Sequence, residues 1–401
     1  MDQYASGPAR GGGAHRRSFH AARRTALWFA ALATTGALVS GCAQFDTADS
    51  APFHPVPETY SGAQVDPDVP GPQDRTPPDT PPPDQSEPAP APNGPCVDPD
   101  PAVIATCLDS TGAMVMLPDG QTALVAERTT GRIMRVPSEG DATEFAAVPV
   151  DAAGDGGLTG LALSPTFAED QLVYAYVTTP SDNRVVRIAP GDAPKPILTG
   201  IPRGDTGNGG DLIFTAPDQL TVLTGDNGNS GAAADPGKLA GKLLRIRNPA
   251  PDSHDPTVVA SGLGRAGGLC LDPKSGSLWI TDRAPTMDRL QRLSPGGSTP
   301  TLVWSWTDRP GVGGCSAAGG TVVTALDGGK SVAALTVSPD SGAATGDPVL
   351  LGTDKYGHYG ATALDANGAI WASTVNKTSG GAVATDDRVV IIPFSGGGSR
   401  V

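Results

Sequence analysis

The chain of 401 residues carries 53 Gly, 40 Pro, 5% aromatic residues and a formal net charge of −14. That charge excludes a nucleic-acid binder, because no Lys/Arg cluster outside the N-terminus is available to neutralise phosphates. The Gly and Pro content excludes a mostly helical protein and favours short strands joined by many turns.

Residues 1–42 read as a lipoprotein signal peptide. Arg16, Arg17, Arg23 and Arg24 precede an apolar run, Ala26 to Leu38, that is short for a membrane span. Leu38-Val39-Ser40-Gly41-Cys42 resembles a bacterial lipobox, which makes Cys42 the lipidated first residue of the mature chain. The plain alternative is a secretory signal with an incidental Cys. Arg16-Arg17-Ser18-Phe19 also resembles a twin-arginine export signal. Residues 43–95 are rich in Pro, Asp and Ser, with PDTPPPDQSEPAPAP at their centre, and hold too little apolar surface to order themselves. His54 lies in this spacer and is assigned no chemistry. The expectation is a monomer, lipid-anchored on the extracytoplasmic face of the cell membrane, whose folded domain occupies residues 96–401.

Four cysteines remain after Cys42, in keeping with an oxidising compartment: Cys96, Cys107, Cys270 and Cys315. They allow three pairings, and sequence alone does not choose. Cys96–Cys107, close at the domain entrance, and Cys270–Cys315, joining neighbouring sheets, are the favoured set. With no Cys-x-x-Cys pair and few His, a metal site on these residues is not expected.

From Cys107 onward a turn, an alternating strand, a loop and a strand often carrying Arg recur in six copies. They are LPDGQTALVAERTTGRIMRV, LSPTFAEDQLVYAYVTTPSDNRVVRI, FTAPDQLTVLTGDNG…GKLLRI, LDPKSGSLWITDRAPTMDRLQRL, CSAAGGTVVTALDGGKSVAALTV and LDANGAIWASTVNKT…DRVVII. A spacing of roughly 40 to 60 residues is that of propeller blades, and about 50 residues suffice for four short strands. The fold class is therefore all-β, a six-bladed β-propeller, with a sandwich as the alternative. In Leu172–Val177, alternation places Tyr174 and Tyr176 on one face. Trp279 and Trp371 occupy the equivalent place in later copies, as packing residues between blades. Arg135, Arg187, Arg245, Arg292 and Arg388 recur as edge or interblade residues.

Gly207–Arg247 gathers the most polar groups between buried strands. Leu212–Thr215 and Gln219–Thr224 are short strands about an Ala216-Pro217-Asp218 turn, and Gly225-Asp226-Asn227-Gly228 opens a long small-residue loop. One wall of any site is expected here.

The ordered motifs carry a resemblance. Gly154-Asp155-Gly156-Gly157-Leu158-Thr159-Gly160-Leu161, Asn208-Gly209-Gly210, Gly225-Asp226-Asn227-Gly228, Leu239 to Ile246, Ser261-Gly262-Leu263, Gly268-Leu269 and Thr281-Asp282-Arg283-Ala284-Pro285 follow one another as in the soluble glucose/sorbosone dehydrogenases. These are six-bladed propellers that use pyrroloquinoline quinone (PQQ) and calcium. The resemblance covers about Cys107 to Pro393, and the whole chain, signal and spacer included, resembles a divergent lipoprotein member. It implies a His before Asn-Gly-Gly that takes the sugar's proton; here that position is Gly207. It also implies an Arg after Gly-Leu, which here is Gly264, with Arg265 one place later. The late Arg-x-Arg element has no counterpart, and His358 and Gly360 lie about where it belongs.

The site residues expected on this basis are few. His358 or Asp226 would replace the missing base, while His254 reads as a solvated loop residue. Asp155, Asn208, Lys242, Arg265 and Lys355 would contact PQQ, a tricarboxylate that needs cations. Ala284 and Pro285 would offer calcium their carbonyls, and Asp226 and Asp288 match family carboxylates. The function expected first is binding of a glycan, a quinone or an envelope component in the funnel. An active PQQ- and calcium-dependent dehydrogenase of aldoses or sugar aldehydes is the alternative. A metal-dependent lactonase using Asp155, Asp226, Asn227 and Asp282 is a further one.

Overall fold

The computed structural model describes residues 94–251 and 255–394. The signal peptide, Cys42, the spacer with His54, and His254 lie outside the described residues.

Six antiparallel four-stranded sheets are arranged in chain order, as the repeats predict. Their innermost strands are Thr111–Met116, Leu158–Leu163, Gly210–Ala216, Arg265–Leu271, Val312–Ala318 and Tyr359–Leu364. Each packs against the innermost strands of both neighbouring blades, and the sixth meets the first, so the ring closes. The sixth blade is completed by the strand Val103–Ala105, which pairs with Val389–Ile392. The two ends of the folded domain thus share one sheet, with Val103–Ala105 as its outermost strand.

The core is divided among the six gaps between blades, each holding its own apolar cluster. Alternation along the second strands feeds both gaps at once: Val173, Ala175 and Val177 face the first blade, while Tyr174 and Tyr176 face the third. Trp279 and Trp371 pack likewise between blades. Arg388 ties Asp98 to Asp386 across the seam, and Arg135 stacks on Phe145, both edge roles. Two disulfides form in the favoured pairing, Cys96–Cys107 spanning the seam strand and Cys270–Cys315 between the fourth and fifth blades.

Glycine allows the ring to be this tight. A Cβ on Gly112 would run into the carbonyl of Leu158 in the next blade, and one on Gly313 into that of Gly360. In five of the six innermost strands the register slips within the first four residues, at Thr111/Ala113, Leu158/Gly160, Ala266/Gly268, Val312/Cys315 and Tyr359/Ala361. Such bulges bend a strand and re-aim its groups. They lie together at one end of the axis.

Candidate functional site

The bulged strand ends enclose an axial pocket of about 270 Å³, whose walls include Thr111, Thr159, Gly209, Ala266, Gly313 and Gly360. Three guanidinium groups reach it: Arg128 from the first blade, and Arg265 and Arg283 from the fourth. The first and fourth blades are opposite one another in a ring of six, so the cations face each other across the axis. Two carboxylates line the pocket on the crossing diameter, Asp155 beside the second blade and Asp327 in the fifth.

The three arginines carry no ion pair among the described residues. The reason lies one residue earlier in the chain. Glu127 and Asp282, just before Arg128 and Arg283, are fully buried and are neutralised by arginines of the following strands, Arg132 and Arg289. Arg128 and Arg283 are therefore held by carbonyls alone. Arg128 donates to Gly156 O at 2.6 Å, and Arg283 Nε to Val312 O at 2.9 Å. Arg265 is exposed and donates to Thr206 Oγ1 at 3.2 Å. Burial lowers the pKa of Arg128, with Asp155 and Asp109 opposing the shift. A half-buried guanidinium without a counter-ion is an anion site in waiting.

The wall expected at Gly207–Arg247 is built differently. Asp155 does line the pocket, but its oxygens accept from Gly207 N at 2.7 Å, Asn208 N at 3.0 Å and Asn208 Nδ2 at 3.2 Å. Asn208 is wholly buried and also bonds Gly204 and Asn183, so it shapes the loop rather than offering a ligand contact. Asp226 accepts from Gly228 N at 3.0 Å as a turn-forming side chain, not as a free base. It also fills the place of the missing side chain. Gly207 has φ +73°, and a Cβ there would meet Asp226 Oδ1, with Gly228 N at 2.6 Å and Asn227 N at 2.8 Å. Gly209 alone on this wall faces open space, since a Cβ there would find nothing nearer than Ala266 O at 3.7 Å.

Two expected cations are elsewhere. Lys242 is fully buried, with Nζ donating to Ala232 O at 3.1 Å, Ala233 O at 2.7 Å and Ala240 O at 2.6 Å; it pins the loop and does not reach the pocket. Burial pushes its pKa down. Lys355 pairs with Asp100 at 2.9 Å and lies over Tyr356, again away from the pocket. Hydrogen bonds from Lys355, Ala102 and Tyr356 hold Asp100 down at about 2. Arg265 lines the pocket. Arg128, Arg283 and Asp327 were missed, although an acid–Arg pair at the end of the second strand occurs in both the first and fourth repeats and marks two of them.

His358, which opens the sixth blade, stands at the pocket's edge between Asp327 and the lining residues Tyr359 and Gly360. Its Nδ1 lies 2.8 Å from Asp327 Oδ1 and 2.9 Å from Asp327 O. Its amide donates to Asn376 Oδ1 at 2.7 Å.

No cluster of three His, Cys, Asp or Glu side chains suited to a metal occurs among the described residues. Asp282 accepts from Gly264 N, Gln291 and Arg289, and Asp288 from Gly311 N and Val312 N. Of the carboxylates considered for hydrolysis, Asp155, Asp226 and Asp282 are thus each engaged, and Asn227 Oδ1 is buried without a partner. At Ala284-Pro285 the donors on offer are backbone carbonyls. Below the arginines the axis continues as a second, more apolar cavity of about 510 Å³. Asp211 lines it and accepts from Leu269 N at 2.7 Å and Leu212 N at 2.8 Å; burial pushes its carboxyl up to about 7.

Residues 108–299 match the family model described as Glucose / Sorbosone dehydrogenase. The aldose sugar dehydrogenase YliI of Escherichia coli (strain K12) is 27% identical over 198 residues, 43% of this chain and about half, 53%, of that protein. The PQQ-bound aldose sugar dehydrogenase of Streptomyces coelicolor superposes with a TM-score of 0.65 at 32% identity, over 72% of this chain and 96% of that one. A putative oxidoreductase (glucose dehydrogenase) of Thermus thermophilus gives 0.63 at 26% identity, over 73% and 98%. With the ring, the motif order and these likenesses together, the chain belongs to the glucose/sorbosone dehydrogenase family.

Proposed function

We propose that the axial pocket binds a polycarboxylate quinone of the PQQ class and that the chain is an extracytoplasmic oxidoreductase of aldoses or sugar aldehydes, lipid-anchored through Cys42. The carrying observation is the set of three arginines without ion pairs on opposite walls of one pocket, in a chain of net charge −14. Such a set suits a ligand with anionic groups at both ends: Arg128 would hold one end, Arg265 and Arg283 the other. Asp155 and Asp327 on the crossing diameter repel an anion lying the other way, which fixes one orientation. When bound, the quinone supplies two-electron, hydride-accepting chemistry. Calcium belongs to the same proposal, held through the carbonyls of Ala284 and Pro285. The open space before Gly209 leaves room for the sugar beside the quinone. The quinone is favoured over a neutral glycan because neutral sugars give unpaired guanidinium groups no counter-charge.

The test is the thermal midpoint of the full chain with PQQ and calcium. Ligand at a hundred times its Kd adds about 2.7 kcal/mol to the native state, a rise of several degrees. No rise with PQQ, together with a rise on adding a cell-wall glycan, would replace the quinone with the glycan reading. In the same preparations the Cys42→Ser chain should leave the membrane fraction.

A further inference from the structure

We infer that His358 is the proton acceptor of this pocket and Asp327 its positioning residue, in place of the side chain that Gly207 lacks. The inference rests on the quinone reading above and names the group that serves it. Both atoms facing Nδ1, Asp327 Oδ1 at 2.8 Å and Asp327 O at 2.9 Å, are acceptors. Nδ1 therefore carries the hydrogen, and the neutral ring keeps its lone pair on Nε2. Nε2 has no hydrogen-bond partner among the described residues and is not among the buried unpartnered polar atoms, so it is accessible to solvent, on a residue that adjoins the lining residues Tyr359 and Asp327. A carboxylate on one ring nitrogen and a free lone pair on the other is the arrangement of an oriented general base.

The surroundings suit the role. The ring is held at Nδ1 and its backbone is fixed as well, because the His358 amide donates to Asn376 Oδ1 and Val375 N donates to His358 O. The charged groups lining the pocket are Asp327, which stabilises a protonated ring, Asp155, which is held by the Gly207 and Asn208 amides, and Arg128, Arg265 and Arg283, which belong to the anion. The sixth blade lies opposite the third in the ring. The acceptor has thus moved across the axis, from the wall where Asp226 and the Asn227 and Gly228 amides leave no space for a side chain. In the step, the sugar's O–H bond breaks and its proton passes to Nε2. A bound quinone would supply the acceptor for the C–H hydrogen and its electron pair, so that the carbon–oxygen single bond would become a carbonyl.

Three variants of the full chain, loaded with PQQ and calcium, test this with an aldose panel and a reducible dye. His358→Gln should lower kcat by about a hundredfold or more, with the PQQ-induced thermal shift unchanged. Asp327→Asn should lower kcat by about tenfold, move the acid limb of the pH–rate profile, and leave PQQ binding equal or tighter, since it removes a negative charge from an anion site. His358→Asn serves if the Gln variant does not fold. Independently of turnover, ¹⁵N-imidazole spectra of the unloaded chain should show the Nδ1–H tautomer at His358, and a tautomer mixture in Asp327→Asn. A His358→Gln chain that takes up PQQ and turns over as fast as the wild type overturns the inference and leaves the quinone reading standing. A wild-type chain that takes up PQQ and oxidises no aldose or sugar aldehyde overturns the inference and the oxidoreductase activity, and leaves only quinone binding standing. A wild-type chain with no PQQ shift overturns the quinone reading, and this inference with it.

Discussion

The third and fourth blades meet the axial pocket with opposite materials. The third blade brings a long polar loop, yet Asn208, Asp226 and Lys242 all turn back to satisfy that loop's own amides and carbonyls. The fourth blade brings two strand-end arginines, Arg265 and Arg283, the second of them next to a carboxylate, Asp282, already neutralised by Arg289. An irregular loop carries many backbone groups without ladder partners, and polar side chains are needed to pair them. A dense run of polar residues therefore marks a loop that holds itself together. The ligand-facing groups are those left over after such pairing.

The sharpest way to break that contrast is to remove the arginines. A chain with both Arg128→Gln and Arg283→Gln loses two charge-assisted contacts of about 1.5–3 kcal/mol each. Its PQQ affinity should fall about 10³-fold by titration, with the circular-dichroism spectrum of the sheets preserved. An unchanged affinity would show that the fourth-blade wall is not the ligand side.

The third-blade wall should respond in stability instead. Lys242→Met leaves three buried carbonyls without their donor. It should cost about 3 kcal/mol in denaturant unfolding, while PQQ affinity in the surviving folded fraction stays the same.

Gly207→His is the smallest and most pointed change. The left-handed backbone and the crowding by Asp226 should cost about 2 kcal/mol, and no turnover should be gained. Recovery of family-like rates would mean that the loop around Asp226 yields and that the third blade still holds a usable acceptor position.

The ring was legible because it is written in local terms. Six alternating second strands such as Leu172–Val177, each followed by a turn, carry period and burial in the chain itself. The packing of Trp279 and Trp371 follows from that frame, whereas the disulfide pairing is favoured but not fixed by it. The pocket was less legible. Arg128 and Arg283 are free only because Arg132 and Arg289 occupy Glu127 and Asp282, a pairing between adjacent strands that depends on register. Asp327 and His358 are 31 residues apart and meet only when the fifth and sixth blades close. Lys242 and Lys355 were expected at the pocket for the same reason in reverse, because a cation's partner is invisible until the loops fold.

The seam has a mechanical consequence. Val103–Ala105 is the strand that a pull on the N-terminal side of the domain would strip first, since it is short and outermost in its sheet. The Cys96–Cys107 bond spans it, so tension arriving at Cys96 is handed directly to Cys107 and the strand between them carries none. The load enters instead at Cys107 and Leu108, whose amides are tied to Thr385 and Asp387 in the sixth blade. Under the proposed lipid anchor, the domain would thus keep its closing strand, and with it the blade that carries His358, in register under load.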